Sequence, residues 1–407
     1  MKRQKIWIVA QAAQQPPYNT MLRYHNWGKQ LIKRGYDVSI FTVNRVHNTD
    51  INVIDKLGSK ESICEGIKYF YFDIPRYQGN GLRRVIGWKV FNQRLRKLGE
   101  LSEKPDVVIC GTLRFKTIKK VLRGIPIIVD TVDLWPLSII AYTKYSEKNP
   151  AIQLLYNVEK NAYIHGDALI FSMEGGKQYL QERRYNKRIN YSKVFHINMG
   201  CDLEEYDRNS KKIPKQNDKS DDQRFVITYS GSMRSANHII QICQAARILH
   251  DKGSNVYIRM FGNGPEEEDA KKYCKENGLN NIVFYGRFEK SMLPEILSDS
   301  DANIMTYSQS DVMKYGGSQS KLFDYLASGK PIINCGKWGY NLISRYNCGL
   351  VVEEQTPEAI ADAMMELSQM PKTEISNMGM MARKVAEMYD QPRLAEKLCE
   401  VIDFVLK

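Results

Sequence analysis

Short runs of aliphatic and β-branched residues alternate with longer stretches in which apolar positions recur at helical spacing. Lys5–Ala10, Asp37–Val43, Asp106–Cys110, Pro126–Val129 and Ala168–Ser172 read as strands, and Met21–Arg34 as a helix closed by Gly35. The strands are continuous in Val and Ile rather than alternating. That is the pattern of a parallel sheet covered on both faces. Residues 207–224 hold almost nothing apolar and read as a linker. The alternation then restarts. Phe225–Tyr229, Asn255–Phe261, Ile282–Tyr285, Ala302–Met305 and Pro331–Asn334 are expected strands. Asn237–Lys252, Glu266–Asn277, Met292–Leu297 and Lys321–Ala327 are the helices between them. The chain is therefore expected to be α/β, with two doubly wound parallel-sheet domains. Such sheets bind ligands beyond the carboxyl ends of their strands. Two of them facing a shared cleft suit a reaction that joins two molecules.

The 407 residues carry a formal net charge of +13. Residues 1–205 hold 33 Lys/Arg against 19 Asp/Glu, a net +14, and the remainder is near neutral. A basic half attracts a polyanion or an anionic membrane surface. The densest stretch, Leu82–Leu98, carries Arg83, Arg84, Trp88, Lys89, Arg94, Arg96 and Lys97 around apolar positions at near-helical spacing. Two readings stay open: a helix lying on a bilayer, or one packed on its own domain with its cations in water. No nucleic-acid recognition motif accompanies the charge, so no nucleic-acid partner is expected. No apolar run reaches the length of a membrane span, and the basic start with its short apolar stretch reads as a first strand rather than a signal peptide. The eight cysteines form no CxxC pair, which fits reduced thiols in a cytosolic protein.

Candidate chemistry concentrates at Lys314–Asn334, KYGGSQSKLFDYLASGKPIIN. A Gly/Ser loop leads into a helix expected to begin near Lys321 and to be capped by Ser320. Uncapped N–H groups and the helix dipole there would attract an anion, with Lys321 adding charge. Asp324, one turn on, could accept hydrogen bonds from ribose hydroxyls. A plain capped helix with an exposed Lys and Asp is the alternative. Gly262-Asn263-Gly264 is not a dinucleotide fingerprint, because Pro265 and three glutamates follow. Its glycines are expected to serve a tight turn and the close approach of a ligand. Asp133 is either a site residue or a turn former before Trp135. His25 and His238 are read as structural, and Glu174 as a helix-start residue.

The Tyr315–Asp324 segment resembles the nucleotide-sugar segment of retaining GT-B glycosyltransferases of the "group 1" type, in particular a subgroup of bacterial surface-polysaccharide synthesis. Tyr229–Ser232, Phe261–Pro265, Asn281–Phe288, His196–Asp202 and Asp130–Ser138 resemble further segments of that family. The resemblance implies a GT-B fold with an acceptor domain over 1–203, a nucleotide-sugar domain over 204–386, and a helix over 387–407 that returns to the first domain. It implies a donor site of Gly231, Ser232, Arg234, Gly262, Arg287, Phe288, Gly317, Ser318, Ser320, Lys321, Leu322 and Asp324. Tyr18, Asn19 and Asp133 would meet the acceptor, and Asp133 and Lys321 would serve catalysis. Gly316 stands where the family's first paired acid is expected, and Ser232 and Asn237 stand where many members have Arg and Lys. One of Arg234, Lys321 or Arg287 would then balance the diphosphate. No metal and no cofactor is expected beyond the nucleoside diphosphate sugar itself, UDP being favoured over GDP. The implied activity is transfer of a hexosyl or N-acetylhexosaminyl group to a lipid-linked saccharide, by a cytoplasmic protein peripheral on the inner face of the membrane. A nucleotide-sugar epimerase and an inactive binding module are the alternatives.

Overall fold

The structure, a computed structural model, describes residues 3–19, 21–47, 49–77, 81–185, 188–211 and 224–407. It divides the chain into two compact units, Met1–Asn198 with Gln391–Lys407, and Met199–Asp390.

The first unit holds β1 (Lys5–Val9), β2 (Asp37–Val43), β3 (Glu61–Cys64), β4 (Ile67–Phe72), β5 (Val107–Cys110), β6 (Ile127–Thr131), β7 (Ala168–Phe171) and β8 (Val194–His196). They form one sheet in the order β3-β4-β2-β1-β5-β6-β7-β8. All neighbours pair in parallel except β3 and β4, which form an antiparallel hairpin at one edge. The central strands are buried on both faces, as their unbroken Val/Ile runs require. The β3–β4 hairpin differs from the all-parallel expectation. Its turn runs through Glu65 and Gly66, both with positive φ, and β3 alternates exposed and half-buried positions, the pattern of an edge strand rather than a core one.

Arg23 opens the Arg23–Lys33 helix and binds Asp130 at the end of β6 through two contacts, Nε to Oδ2 at 3.0 Å and Nη2 to Oδ1 at 2.8 Å. It also donates to the carbonyls of Ile197 and Asn198. Both side chains are fully buried. Arg23 thus ties the first helix to the end of β6 and to the segment that follows β8. His25 is structural: its ring contacts the Tyr69 hydroxyl at 2.7 Å and Glu65 at 2.6 Å. The Gln391–Leu406 helix packs on the Arg23–Lys33 helix, and Arg34 donates to the carbonyl of Pro392.

The second unit holds β9 (Phe225–Ser230), β10 (Val256–Phe261), β11 (Ile282–Gly286), β12 (Ala302–Thr306), β13 (Ile332–Cys335) and β14 (Gly349–Val352). They form an all-parallel sheet in the order β11-β10-β9-β12-β13-β14. The strand order reverses between β9 and β12. A crevice at the carboxyl ends of those two strands follows from the topology.

The Leu203–Ser210 helix, capped by Asp202 onto the N–H of Glu205, takes residues 207–210 of the expected linker into regular structure. Residues 212–223 of that linker, with Asp221 and Asp222, lie outside the described residues. The Leu82–Leu98 helix is α-helical only to Arg94, and Leu95–Glu100 continues as a 3-10 turn.

Candidate functional site

The loops after β9, β10 and β11 are laced together by backbone bonds. Gly231 donates to Phe261, Met233 to Asn263, Glu266 to Met233, and Gly262 to Gly286. Gly262 has φ +128, and a Cβ there would stand 1.8 Å from the carbonyl oxygen of Gly231. The close approach is therefore to the neighbouring loop, and only glycine permits it.

Ser232 and Asn237 form a bracket. Asn237 Nδ2 donates to the Ser232 carbonyl at 2.7 Å and to its hydroxyl at 2.9 Å, and the Tyr229 hydroxyl donates to the same carbonyl. Ser232 and Asn237, where the resemblance implies two cations, thus hold the β9 turn in shape and bring no charge to it.

The charge arrives from elsewhere. The Ser320–Ala327 helix places Lys321 against the β9 turn, so that a Cβ on Gly231 would lie 2.8 Å from its Nζ. Nζ donates to the Tyr229 hydroxyl at 3.1 Å and sits 4.5 Å and 5.2 Å from the ring centroids of Tyr229 and Tyr307. Tyr307 follows β12 and meets Trp338 edge-on at 5.3 Å. No carboxylate pairs with Lys321 among the described residues, and burial pushes its amine down to about 7. An amine held between two aromatic faces at a sheet switch point becomes a cation site once an anion is placed beside it.

The helix that carries Lys321 begins one residue earlier than expected. Ser320 is its first residue and is exposed; Gln319 is the N-cap, with no side-chain capping bond. Leu322 points into the core at 6% exposure, while Lys321 and Asp324 stay part-buried on the other side. Burial raises the Asp324 carboxyl, with Lys290 drawing it back. Tyr325 fastens the helix to β9 by accepting from the Ser230 N–H at 2.7 Å. Gly317 and Ser318 line the preceding loop, part-buried, and Gly316 is buried with φ +98. Arg234 and Arg287 are exposed, and Phe288 packs edge-on to Phe261. Of the three cations considered for the diphosphate, Lys321 is the one buried against the β9 turn.

In the first unit, Asp133 follows β6. Its side chain reaches solvent, yet the surrounding bulk raises its carboxyl, opposed by Arg84. Trp135 meets Trp88 edge-on at 5.1 Å, and the Arg84 guanidinium lies over Trp88 at 5.4 Å. Arg114 donates to the Trp88 carbonyl and to Gln11. Arg84 and Trp88 are thus turned inward, one helical turn apart, and leave the exposed cationic set to Arg83, Lys89, Arg94, Arg96 and Lys97. Asn19 is committed locally, donating to the Ala12 carbonyl and to Gln14. Tyr18 is part-buried in the same loop. Tyr229, Tyr307 and Arg23 were given no role by the sequence reading, and Arg84, read with the membrane cations, is part-buried over Trp88. For the two tyrosines, an aromatic residue at or just past the carboxyl end of a strand flanking the switch point is the available signal.

Residues 209–385 match the family model described as Glycosyl transferases group 1. The match lies within the second unit and covers less than half of the chain. Solved structures cover both units. A trehalose-6-phosphate structure from E. coli, bound with UDP-2-fluoro glucose, superposes with a TM-score of 0.74 at 12% identity, over 98% of this chain and 99% of that one. Anabaena Alr3699/HepE, in complex with UDP and glucose, gives 0.66 at 14% over 98% and 100%. WaaG, a glycosyltransferase involved in lipopolysaccharide biosynthesis, gives 0.67 at 14% over 98% and 99%. No curated protein matches the chain. The glycosyltransferase domain and these neighbours establish the GT-B fold, with Lys321 and Asp324 on the switch-point side of its second sheet.

Proposed function

We propose that this chain transfers a sugar from a nucleoside diphosphate sugar, UDP favoured, to a hydroxyl of a lipid-linked saccharide, with retention at the anomeric carbon. The observation that carries the donor side is Lys321, an amine without a counter-ion, one turn ahead of the Asp324 carboxylate. In this reading the diphosphate pairs with Lys321 and the helix N-terminus, and Asp324 accepts from the ribose hydroxyls. Stabilising the departing diphosphate in a preformed site lowers the barrier to breaking the glycosidic bond. The leaving phosphate can then take the proton of the attacking hydroxyl. A solved neighbour bound with UDP-2-fluoro glucose and another with UDP and glucose support the donor class.

For the acceptor side, the Leu82–Arg94 helix has two faces. Arg84 and Trp88 face Asp133 and Trp135. Leu82 and Ile86 are 83% and 49% exposed beside exposed Arg83 and Lys89. Apolar side chains among cations suit an anionic bilayer surface, and a helix of this kind would place a membrane-borne acceptor near Asp133. The neighbour WaaG, involved in lipopolysaccharide biosynthesis, supports a role in surface-polysaccharide assembly, and the cationic, apolar helix face is the ground for proposing the inner face of the membrane as its place.

Melting shifts across UDP, GDP and ADP test the donor class, and UDP is expected to give the largest. Asp324→Ala should weaken nucleotide binding at least tenfold, since even one hydrogen bond to a charged group is worth about 1.5–3 kcal/mol. Unchanged affinity would remove the ribose role. A transfer assay with lipid-linked saccharide then separates an active enzyme from a binding module, and product formed without acceptor would indicate an epimerase.

A further inference from the structure

We propose that binding of the donor's diphosphate to this chain is coupled to uptake of one proton from solvent, carried by Lys321. The inference rests on the donor reading above and adds to it a linkage between nucleotide affinity and pH.

The argument begins with what surrounds Nζ. Two tyrosine rings and the Gly231 backbone flank it, and among the described residues its hydrogen-bond partner is the Tyr229 hydroxyl. Tyr229 itself passes its proton to the Ser232 carbonyl, so its oxygen can accept from Lys321 in either protonation state of the amine. The titratable groups on the elements packed here are Tyr229 from β9, Tyr307 after β12, Asp324 and Tyr325 on the same helix, and Glu266 beyond β10. The two carboxyls bear on Tyr325 and Tyr229 and exert no resolved pull on Lys321. Enclosure without a counter-charge favours the neutral amine. A dianionic or more highly charged phosphate group placed beside Nζ reverses that preference. The proton comes from solvent and adds to the nitrogen lone pair, giving an ammonium paired with phosphate. No bond in the nucleotide changes.

A diphosphate site built on arginine carries a permanent charge and needs no proton uptake at its cation near neutral pH. Here the cation exists in full only when the anion is present. Affinity should then fall about tenfold per pH unit above neutrality, as one proton is required per complex.

The test is calorimetric titration of UDP into the full chain at pH 8, in buffers of different ionisation enthalpy. At that pH the terminal phosphate is already ionised, its pKa being near 6, so any proton taken up belongs to the protein. The apparent enthalpy should vary linearly with the buffer's ionisation enthalpy, with a slope near one proton. Lys321→Arg should bind UDP with altered affinity and without the slope, since arginine is charged throughout. Binding of UDP with zero slope in the native chain overturns the proton linkage and leaves the donor reading standing. A slope that persists in Lys321→Arg overturns the assignment to Lys321. Absence of binding by UDP, GDP and ADP alike removes the donor reading and this inference with it. Circular dichroism of the variant distinguishes lost binding from a lost fold.

Discussion

Replacing Lys321 by methionine should make the protein more stable at neutral pH and abolish nucleotide binding. The methionine keeps most of the aliphatic volume between Tyr229 and Tyr307 and removes the amine. In the native chain burial lowers that amine from 10.5 to about 7. At about 1.4 kcal/mol per unit the whole drop corresponds to roughly 4–5 kcal/mol against the charged form. Partial exposure of the side chain and the cation–π contacts, worth ~0.5–2 kcal/mol, leave about 2 kcal/mol as the expected gain of the variant. The sign has a pH signature. Between pH 7 and about 10 the unfolded lysine holds a proton that the folded one has shed, so native stability rises with pH by up to about 1.4 kcal/mol per unit. That gain is lost as pH falls through the folded value, and the methionine variant should lack it. Urea denaturation of the full chain at pH 7 and pH 9.5 measures both effects. Hydrogen exchange in β9 and β12 assigns them to the second unit. A variant less stable than the native chain at pH 7, or one with the same dependence on pH, refutes the reasoning.

Gly262→Ala should destabilise the second unit by roughly 3 kcal/mol or more, because its Cβ meets the Gly231 oxygen at 1.8 Å from a backbone at φ +128; an unchanged Tm would contradict the loop lacing. Arg23→Met leaves the Asp130 carboxylate buried without its cation and should cost about 3–5 kcal/mol, with part recovered in the Arg23→Met/Asp130→Asn double variant, as denaturant midpoints would show. Glu159 is 1% exposed, accepts from the hydroxyls of Tyr163, Tyr179 and Tyr185, and burial pushes its carboxyl up to about 8. Its stabilising contribution is complete below the unfolded value near 4.5 and is lost as pH rises to 8, so Glu159→Gln should flatten stability over that window; a parallel profile for both proteins would count against the buried neutral acid.

The parallel core of both units was legible because continuous Val/Ile runs leave no polar face to misread. β1, β5, β6 and β9 fall where the pattern put them, within a residue or so at the ends. The β3–β4 hairpin was not legible. Its strands mix Ser, Lys, Glu and Tyr, and its turn forces Glu65 into positive φ, for which glutamate carries no sequence signal. β8, three residues long, and β14, whose positions are mostly half-buried, lack the apolar density that marks a core strand. In the donor segment, Lys321 and Asp324 were readable from helical spacing alone. Their surroundings were not, because Tyr229 and Tyr307 meet Lys321 from strands about 90 and 14 residues away in sequence, and pair contacts of that separation leave no local trace. The Leu82–Arg94 helix shows the same limit. Its cations read as one solvated set until the fold turned Arg84 toward Asp133.

Ser232 and Asn237 make sense only together with Lys321. A cation on the β9 turn would ride on the loop it helps to shape. Here the loop is shaped by neutral hydrogen bonds, from Asn237 and Tyr229 to one carbonyl, and the cation is brought in on a helix whose Tyr325 is fastened to the same strand at Ser230. Loop geometry and charge are thus supplied by separate residues. The consequence is asymmetric. Asn237→Ala should distort the turn and weaken binding by misplacing Gly231 against Lys321, whereas restoring the family's cation at 237 should gain little, because Lys in place of Asn237 would remove both donor bonds to Ser232 while setting a second ammonium near the first. Two like charges in a dry site oppose each other, so Lys321 disfavours a second cation at position 237.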